Sequence, residues 1–275
     1  MNLMLSIDVE EWFQVENLRK AISKTQWNSL ESRVEKNTLL ILEILAALQQ
    51  KATFFILGWI AQKIPDLIRE ISSQGHEIAS HGFDHEPVFK LSREQFRKDL
   101  LLSRELLEKC SGQSIVGFRA PTFSMTGWGL DILQEEGFLY DSSYQPHRSK
   151  KNFSIAAISQ ANSNRVVLEN GLLEILLSSH RWFGISLPWS GGGYFRLIPY
   201  PIFKKGIKNI LREKGSYCFY IHPWELDPRQ PKVPVSFLKK FKHYYGLSRT
   251  EEKFRALLQD FRFKTLQEAL FSQAK

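Results

Sequence analysis

Three carboxylates crowd the end of the first apolar segment of this chain. The segment NLMLSIDV (2–9) has the composition of a short buried strand, and it is followed by further acidic residues, so that Asp8, Glu10 and Glu11 lie within four positions. Like charges this close repel, so a positive partner is expected among them. In an extended strand, Asp8 and Glu10 share one face and Glu11 points to the other. Asp8 and Glu10 are therefore the candidates for chemistry, and Glu11 is expected to be a helix N-terminal charge or a surface residue.

Two histidines, His81 and His85, lie four residues apart in SHGFDHEP (80–87). Side chains at i and i+4 project from the same side of a helical turn, so both rings can reach one ion. The spacing alone is a weak signal, because two surface or capping histidines would also satisfy it. Two histidines and one carboxylate leave positions open for water and substrate, as a hydrolytic metal requires. The pattern predicts a divalent metal site in which one N-terminal carboxylate binds the ion and the other activates water.

Strands alternate with helices over the first 140 residues, which predicts βαβ units in a parallel sheet or barrel. Strands are predicted at 2–9, 51–58, 75–82, 114–121 and 138–143, and helices at 34–50, 59–74 (with a break at Pro65), 92–110 (capped by Ser92 with Gln95) and 126–138. We expect an irregular segment with some β content near 147–200, then a helix at 201–214, a strand at 216–223 and a helical C-terminal tail. No linker divides the chain, so residues 1–275 are predicted to form a single domain.

Polar residues mark the ends of these predicted strands. In a parallel α/β fold, function collects at the carboxyl ends of the strands, where Asp8, His81, Arg119, Asp141 and His222 fall. Each residue also has a simpler explanation: Arg119 as a surface ion pair, Asp141 as a cap or turn residue, and His222 as a core histidine. Their combined order favours a functional site.

The composition is that of a soluble globular protein, with 275 residues, 43% hydrophobic and 24% charged. The net charge of +8 suits acidic partners, but no dense basic tract or nucleic-acid motif occurs, so nucleic acid is not an expected partner. Cys110 and Cys218 are expected to be buried free thiols. No apolar run approaches the roughly 20 residues of a membrane span. A charge at Asp8 falls too early for a signal peptide, which predicts a cytoplasmic protein, with peripheral contact at the inner membrane face as an option. The oligomeric state is left open.

Taken in order, these motifs resemble those of the polysaccharide deacetylases, the NodB-homology fold of carbohydrate esterase family 4. The first motif corresponds to SIDVE (6–10), the second to HGFDHEP (81–87) and the third to RAP (119–121). The fourth lies around Asp141, and the fifth is the Ile-His pair at 221–222. The segments DVEEWF, GGGYFRLIPY and YIHPWELDP are most similar to the subgroup found with bacterial exopolysaccharide biosynthesis genes.

The chain departs from the family pattern in the first two motifs. The family usually has two adjacent aspartates, whereas here the second acidic residue is Glu10, one position later and one methylene longer. In the second motif, Gly82 replaces a serine or threonine, and Glu86 separates the second histidine from the proline. The four-residue histidine spacing is kept. The departures leave open which carboxylate, Asp8 or Glu10, binds the metal.

The resemblance implies an α/β fold, a distorted (β/α) barrel of the deacetylase type. It implies a metal-dependent hydrolase that removes N-acetyl groups from an amino sugar, in a polysaccharide or its lipid- or nucleotide-linked precursor. Asp8 would be the base, held by Arg119, and His222 the acid, hydrogen-bonded by Asp141. The backbone N–H of Thr122 would stabilise the oxyanion. The cofactor would be Zn²⁺, with Co²⁺, Ni²⁺ or Mn²⁺ as alternatives, and the metal ligands would be Glu10, His81 and His85.

The glycine-rich segment WSGGGYFR (189–196) lacks the spacing of a phosphate loop. It is either a turn or a loop over the sugar site, where Trp189 or Tyr194 would stack on a ring face. Trp224, beside the terminal histidine motif, would line the same pocket. Two rivals remain: a hydrolase of the same fold that acts on another, cyclic amide, and a sugar-binding relic without catalysis. The presence of base, histidine pair and acid together argues against the relic.

Overall fold

The computed structural model describes residues 2–145, 163–182 and 184–271, of which residue 182 is described by its backbone alone. The strands are β1 (Asn2–Val9), β2 (Thr53–Ile56), β3 (Glu77–Ser80), β4 (Gly117–Phe118), β5 (Tyr140–Asp141), β6 (Arg165–Val167), β7 (Leu173–Ile175), β8 (Ser179–Trp182), β9 (Ile185–Pro188) and β10 (Ser216–Ile221). The helices are α1 (Val34–Ala47), α2 (Gly58–Lys63), α3 (Pro65–Ser73), α4 (Arg93–Ser111), α5 (Gly127–Glu135), α6 (Gly192–Leu197), α7 (Tyr200–Lys214), α8 (Phe237–Tyr244), α9 (Thr250–Asp260) and α10 (Leu266–Phe271).

Within the described residues, eight strands form one sheet in the order β10-β1-β2-β3-β4-β5-β7-β6. Pairing is parallel from β10 through to β7, and only β6 runs antiparallel to its neighbour. The sheet curls into a half-barrel. Asn164, just before β6, reaches the far edge by donating from Nδ2 to the Ser216 carbonyl at 3.1 Å. The predicted α/β distorted barrel is therefore confirmed.

The two faces of the sheet are both buried, as is typical of parallel strands covered by helices. Leu5 and Ile7 of β1 belong to the large cluster packed under the helices. Met4 belongs instead to a second cluster, which draws residues from β2, β3, β5, β7 and β10 and fills the barrel interior. Asp8 shares the interior face with Met4, because alternate residues of a strand point the same way. A charge thus enters the barrel at the carboxyl end of its first strand.

The predicted elements differ from the observed ones mainly in length. The break at Pro65 separates α2 from α3, and Ser92 caps α4 with Gln95 in a capping box, both as predicted. β4 and β5 are each only two residues long, because the backbone beyond them bonds to side chains: the Ala120 amide donates to Ser143 Oγ at 2.8 Å. The segment expected to be irregular with β content does contain strands, and two of them, β6 and β7, join the main sheet. Its residues 147–162 lie outside the described part of the chain, and the single domain stays a prediction.

Several smaller expectations can be checked directly. Glu11 is buried and accepts hydrogen bonds from the Arg33 amide at the start of α1, at 3.1 and 3.2 Å, which confirms its role as a helix N-terminal charge. Cys110 and Cys218 are free thiols, as predicted; Cys218 is buried, whereas Cys110 is partly exposed. Across 2–145, 163–182 and 184–271, no helix is both long and apolar enough to cross a membrane.

The buried residue His76 should make stability depend on pH. Its Nδ1 accepts from the Ala52 amide at 3.3 Å, and burial, with Lys51 nearby, lowers its pKa to about 4. An unfolded histidine titrates near 6.5, so the unfolded chain takes up this proton first, and the free energy of unfolding falls as the pH drops from about 6.5 to 4. His76→Asn keeps an acceptor but cannot gain charge. We expect urea unfolding to show a weaker pH dependence in this variant; an unchanged dependence would contradict the assignment.

Candidate active site

A buried ion pair lies at the centre of the barrel mouth. Arg119 Nη1 donates to Asp8 Oδ1 at 2.6 Å, and the two side chains are 0% and 2% exposed. The guanidinium also donates to Ser142 and Ser6, and its Cζ lies 4.2 Å from the centroid of the Phe55 ring. Burial acts to lower the pKa of Arg119, but the Asp8 carboxylate outweighs it and the pKa lies above its usual value. The predicted contact between Arg119 and Asp8 is present.

Three potential metal ligands converge beside this pair. Ligand atoms of Glu10, His81 and His85 all lie within 4.8 Å of one another, and all three residues are buried. Glu10 Oε2 lies 2.7 Å from His85 Nε2, but without hydrogen-bond geometry, so this oxygen has no hydrogen-bond partner among the described residues. Burial acts to raise the pKa of Glu10, but His85 and His222 outweigh it and hold the pKa well below its usual range. An ionised carboxylate beside two imidazoles, with one oxygen that accepts no hydrogen bond from the described residues, fits a divalent cation.

The protonation of His81 also fits a metal ligand. Its Nδ1 lies 2.7 Å from the Arg119 carbonyl oxygen, which can only accept, so Nδ1 carries the hydrogen and Nε2 keeps its lone pair. Burial lowers the pKa of His81 to about 4, with Asp8 opposing this shift, so the ring is neutral at neutral pH. His81 is thus held in the tautomer that a metal ligand needs.

The two histidines lie on a loop after β3, and not on a helical turn as expected. Gly82 has a φ of +75°, and a Cβ there would meet Asp99 Oδ2 at 3.0 Å. Because Gly82 has no Cβ, Asp99 Oδ2 can lie close to the loop, where it accepts a hydrogen bond from the Phe83 amide at 2.9 Å. His85 itself has a φ of 58°, a strained conformation for a residue with a Cβ. The glycine that replaces the family's serine or threonine therefore allows the loop to turn both rings toward one point.

His222 faces the same point from the end of β10. Its Nδ1 lies 2.7 Å from Glu225 Oε1, and its Nε2 lies 3.5 Å from Glu10 Oε1 and 3.9 Å from Asp8 Oδ2. Burial acts to lower the pKa of His222, but the carboxylates of Glu10 and Glu225 outweigh it and raise the pKa to about 9. Trp224 stacks on the His222 ring at 5.3 Å and donates from Nε1 to Glu10 at 3.1 Å.

The prediction that Asp141 holds His222 is wrong. Asp141 accepts from the Ser143 hydroxyl at 2.7 Å and lies opposite Glu174 in the β5–β7 ladder. Both carboxyl groups are buried, which raises the pKa of Asp141 to about 6 and that of Glu174 well above its usual value, so the pair retains a proton. Asp141 instead supports Ser143, which accepts from the Ala120 amide beside Arg119.

Glu225 is the residue that the sequence reasoning missed in this role. It follows His222 by three positions, and its second oxygen forms an ion pair with Arg196 at 3.1 Å. A signal was present: a histidine followed three residues later by glutamate matches the spacing of a capping box, in which the two residues bond one another.

The predicted substrate-binding residues separate into two groups. Trp189 is buried in the core, stacks on Phe203 at 5.3 Å and donates to its carbonyl, so its predicted stacking on a sugar is wrong. Tyr194 and Trp224 line a cavity of about 540 Å³ that opens at His222. Thr122 follows Pro121 with a φ of 55°, a strained turn next to the ion pair.

The ion pair between Arg119 and Asp8 should couple strongly in a double-mutant cycle. Arg119→Met leaves a buried carboxylate without its partner, and we expect a loss of about 3–5 kcal/mol in the free energy of unfolding. Asp8→Asn with Arg119→Met leaves no unpaired charge and should lose less than the sum of the single variants. Urea unfolding measures all four proteins. Strictly additive losses would show that the pair is not coupled.

Two family models cover adjoining parts of the chain. Residues 24–140 match "Polysaccharide deacetylase", and residues 142–271 match a domain of unknown function. The first match includes the histidine pair and Arg119, whereas Asp8 and Glu10 precede it and His222 lies in the second.

Curated relatives carry related names. A peptidoglycan deacetylase-like protein of Gibberella zeae is 30% identical over 151 residues, 54% of this chain and 45% of that protein. A chitooligosaccharide deacetylase of Sinorhizobium fredii is 34% identical over 94 residues, 34% of this chain and 42% of the relative. The chain thus spans less than half of the length of these relatives.

Solved structures share the fold. A crystal structure from Mycobacterium smegmatis, named for the same family, has a TM-score of 0.59 at 21% identity and covers 96% of this chain and 93% of its own. A carbohydrate esterase family 4 pseudoenzyme from Bacillus anthracis has a TM-score of 0.51 at 14% identity and covers 98% of this chain and 65% of its own. Over residues 24–140 the chain is thus similar in sequence to polysaccharide deacetylases, and its fold is shared with a solved structure named for that family.

Proposed function

We propose that this protein is a metal-dependent hydrolase that removes N-acetyl groups from an amino sugar. The observation that carries the proposal is the convergence of three different groups at the barrel mouth. These are a buried ligand cluster, a carboxylate fixed by Arg119, and a histidine fixed by Glu225. A binding module would need no such set. Relatives named as deacetylases of peptidoglycan and chitooligosaccharide support the reaction class.

Glu10, His81 and His85 would hold the cation. One carboxylate and two imidazoles suit Zn²⁺ first, with Co²⁺, Ni²⁺ or Mn²⁺ as alternatives. A bound ion of this kind supplies Lewis acidity toward a carbonyl oxygen and lowers the pKa of water. Asp8 lies outside the ligand cluster, which favours Glu10 as the metal carboxylate.

Asp8 would act as the general base. Arg119 fixes Asp8 Oδ1. The other oxygen, Asp8 Oδ2, lies 3.9 Å from His222 Nε2. A water next to these two atoms can lose its proton to Asp8 as its oxygen attacks the acetyl carbon. The strained turn at Thr122 would present its amide to the developing oxyanion.

His222 would act as the general acid. Its Nδ1 is held by Glu225, which leaves Nε2–H to protonate the leaving amine when the C–N bond breaks. With a pKa of about 9, the ring is cationic at neutral pH and can supply this proton. Tyr194 and Trp224 line the cavity and would contact the sugar.

The substrate is proposed to be a polysaccharide or its lipid- or nucleotide-linked precursor. The net charge of +8 suits an anionic carrier. The exopolysaccharide subgroup and the cytoplasmic location stay predictions. A hydrolase of another, cyclic amide is the enzymatic alternative. The pseudoenzyme with the same fold makes a non-catalytic relic the other rival. A panel of acetylated sugars and cyclic amides separates the three.

The ligand and base roles should separate in two variants. His81→Ala should bind Zn²⁺ far more weakly, since one of three protein ligands is lost. Asp8→Asn should keep the ion and lose most acetate release from N-acetylglucosamine oligomers. Metal content by atomic spectroscopy and released acetate are the measurements, and His180→Ala, a histidine outside the cluster, is the control. Metal retained by His81→Ala but lost by Asp8→Asn would reverse the assignment.

The acid role should depend on the leaving group. His222→Ala should lose on the order of 10²–10⁴ in kcat on the amide but less on an activated acetate ester, whose leaving group needs little protonation. Glu225→Gln removes a carboxylate that raises the pKa of His222, so the alkaline limb of the pH–rate profile should move to lower pH. Asp141→Asn, which does not contact His222, should leave that limb in place. Equal losses on amide and ester would mean that His222 only shapes the pocket.

A further inference from the structure

The segment that follows the catalytic histidine motif is basic throughout. Between Asp227 and Glu251, the sequence contains six lysines or arginines and no acidic residue. Within the described part of the chain, none of the six has a carboxylate partner in an ion pair. The six residues are Arg229, Lys232, Lys239, Lys240, Lys242 and Arg249. The segment therefore offers unneutralised positive charge to a partner.

The same segment exposes large apolar side chains. In α8, Phe237 is 83% exposed, Leu238 60% and Phe241 41%, and Tyr245, just after the helix, is 46% exposed. Residues three and four apart on a helix are neighbours, so Phe237, Leu238 and Phe241 form one patch. Single exposed apolar residues are ordinary, but a contiguous patch marks an interaction surface. We call α8 with Tyr245 the basic aromatic rim.

This rim borders the mouth of the active-site cavity. Leu238, Phe241, Lys242 and Tyr245 line the cavity that His222 also lines. Residues of α6 line the same cavity, and among them Leu197 is 48% exposed. Apolar and basic side chains thus surround the entrance from two helices.

The rim is also firmly attached to the site. Arg196 donates from Nη1 and Nη2 to the carbonyls of His243 and Lys242 at 2.7 and 2.8 Å, and it pairs with Glu225. The His243 ring stacks on Trp224 at 4.5 Å. The exposed patch is therefore a face of a fixed helix.

We propose that the basic aromatic rim docks on an anionic lipid membrane surface and places the cavity mouth at the headgroups. Phenylalanine, leucine and tyrosine enter the interface between headgroups and acyl chains, while lysines are attracted to anionic headgroups. A nucleic acid would bind the lysines but would leave the exposed apolar side chains Leu238 and Leu197 without a partner. A second copy in a symmetric dimer would set two basic faces against each other. Membrane binding does not depend on the deacetylation proposed above.

Vesicle binding of the full chain tests the proposal. We expect the protein to co-sediment with vesicles of phosphatidylcholine and phosphatidylglycerol, weakly with phosphatidylcholine alone, and less as salt is raised. Phe237→Ser and the double variant Lys239→Gln/Lys240→Gln should each reduce binding on the order of tenfold. These three positions do not line the cavity, so acetate release from a soluble substrate should be unchanged.

Matched variants control for surface composition. Phe271→Ser removes an exposed phenylalanine on α10, which packs by the amino-terminal end of β1, and Lys98→Gln/Lys109→Gln removes two exposed lysines on α4. Both should bind vesicles as the wild type does. No binding to anionic vesicles, or equal losses in rim and control variants, would overturn the proposal, as would self-association that Phe237→Ser abolishes without any vesicle binding. Vesicle binding without acetate release would instead count only against the deacetylase function.

Discussion

The buried contact between Arg119 and Asp8 is the interaction on which the site depends. Removing both charges from water is costly, and a buried pair is stable only when its remaining hydrogen-bonding groups find partners. Here the guanidinium binds Ser6 and Ser142 as well as the carboxylate, and its Cζ lies over the Phe55 ring. The pair joins β1 to the chain after β4 across the barrel interior. The pair therefore holds the proposed base, Asp8, in position and links two parts of the barrel.

Arg119 serves the site twice, through its side chain and through its backbone. The guanidinium holds Asp8, and the carbonyl oxygen accepts a hydrogen bond from His81 Nδ1–H. The lone pair of His81 Nε2 is therefore available to a cation. The adjacent amide of Ala120 donates to Ser143, which donates to Asp141. The buried Asp141–Glu174 pair therefore affects the site indirectly, because it holds the backbone next to Arg119 in place.

The proposed proton donor, His222, and the residues that hold it come from the second half of the chain. Glu225 binds His222 and pairs with Arg196, while Trp224 stacks on His222 and reaches Glu10 through its indole N–H. The region that matches a domain of unknown function thus completes a site whose histidine pair lies in the region that matches the polysaccharide deacetylase model. Arg196 also binds the backbone of the basic aromatic rim, so the same residue stabilises the rim and the Glu225 side chain that holds His222.

The barrel class, the ligand cluster and the contact of Arg119 with Asp8 could be predicted from the sequence, because motif order and residues at parallel strand ends constrain them. The partner of His222 could not: motif order pointed to Asp141, whereas the β5–β7 ladder places Asp141 opposite Glu174 and Glu225 contacts His222 instead. Nor could the burial of Trp189, because a tryptophan in a glycine-rich loop reads the same whether it meets a sugar or Phe203. Spacing along the chain determines which residues can share a face. Only packing in three dimensions decides which of several equally suitable partners a buried group contacts.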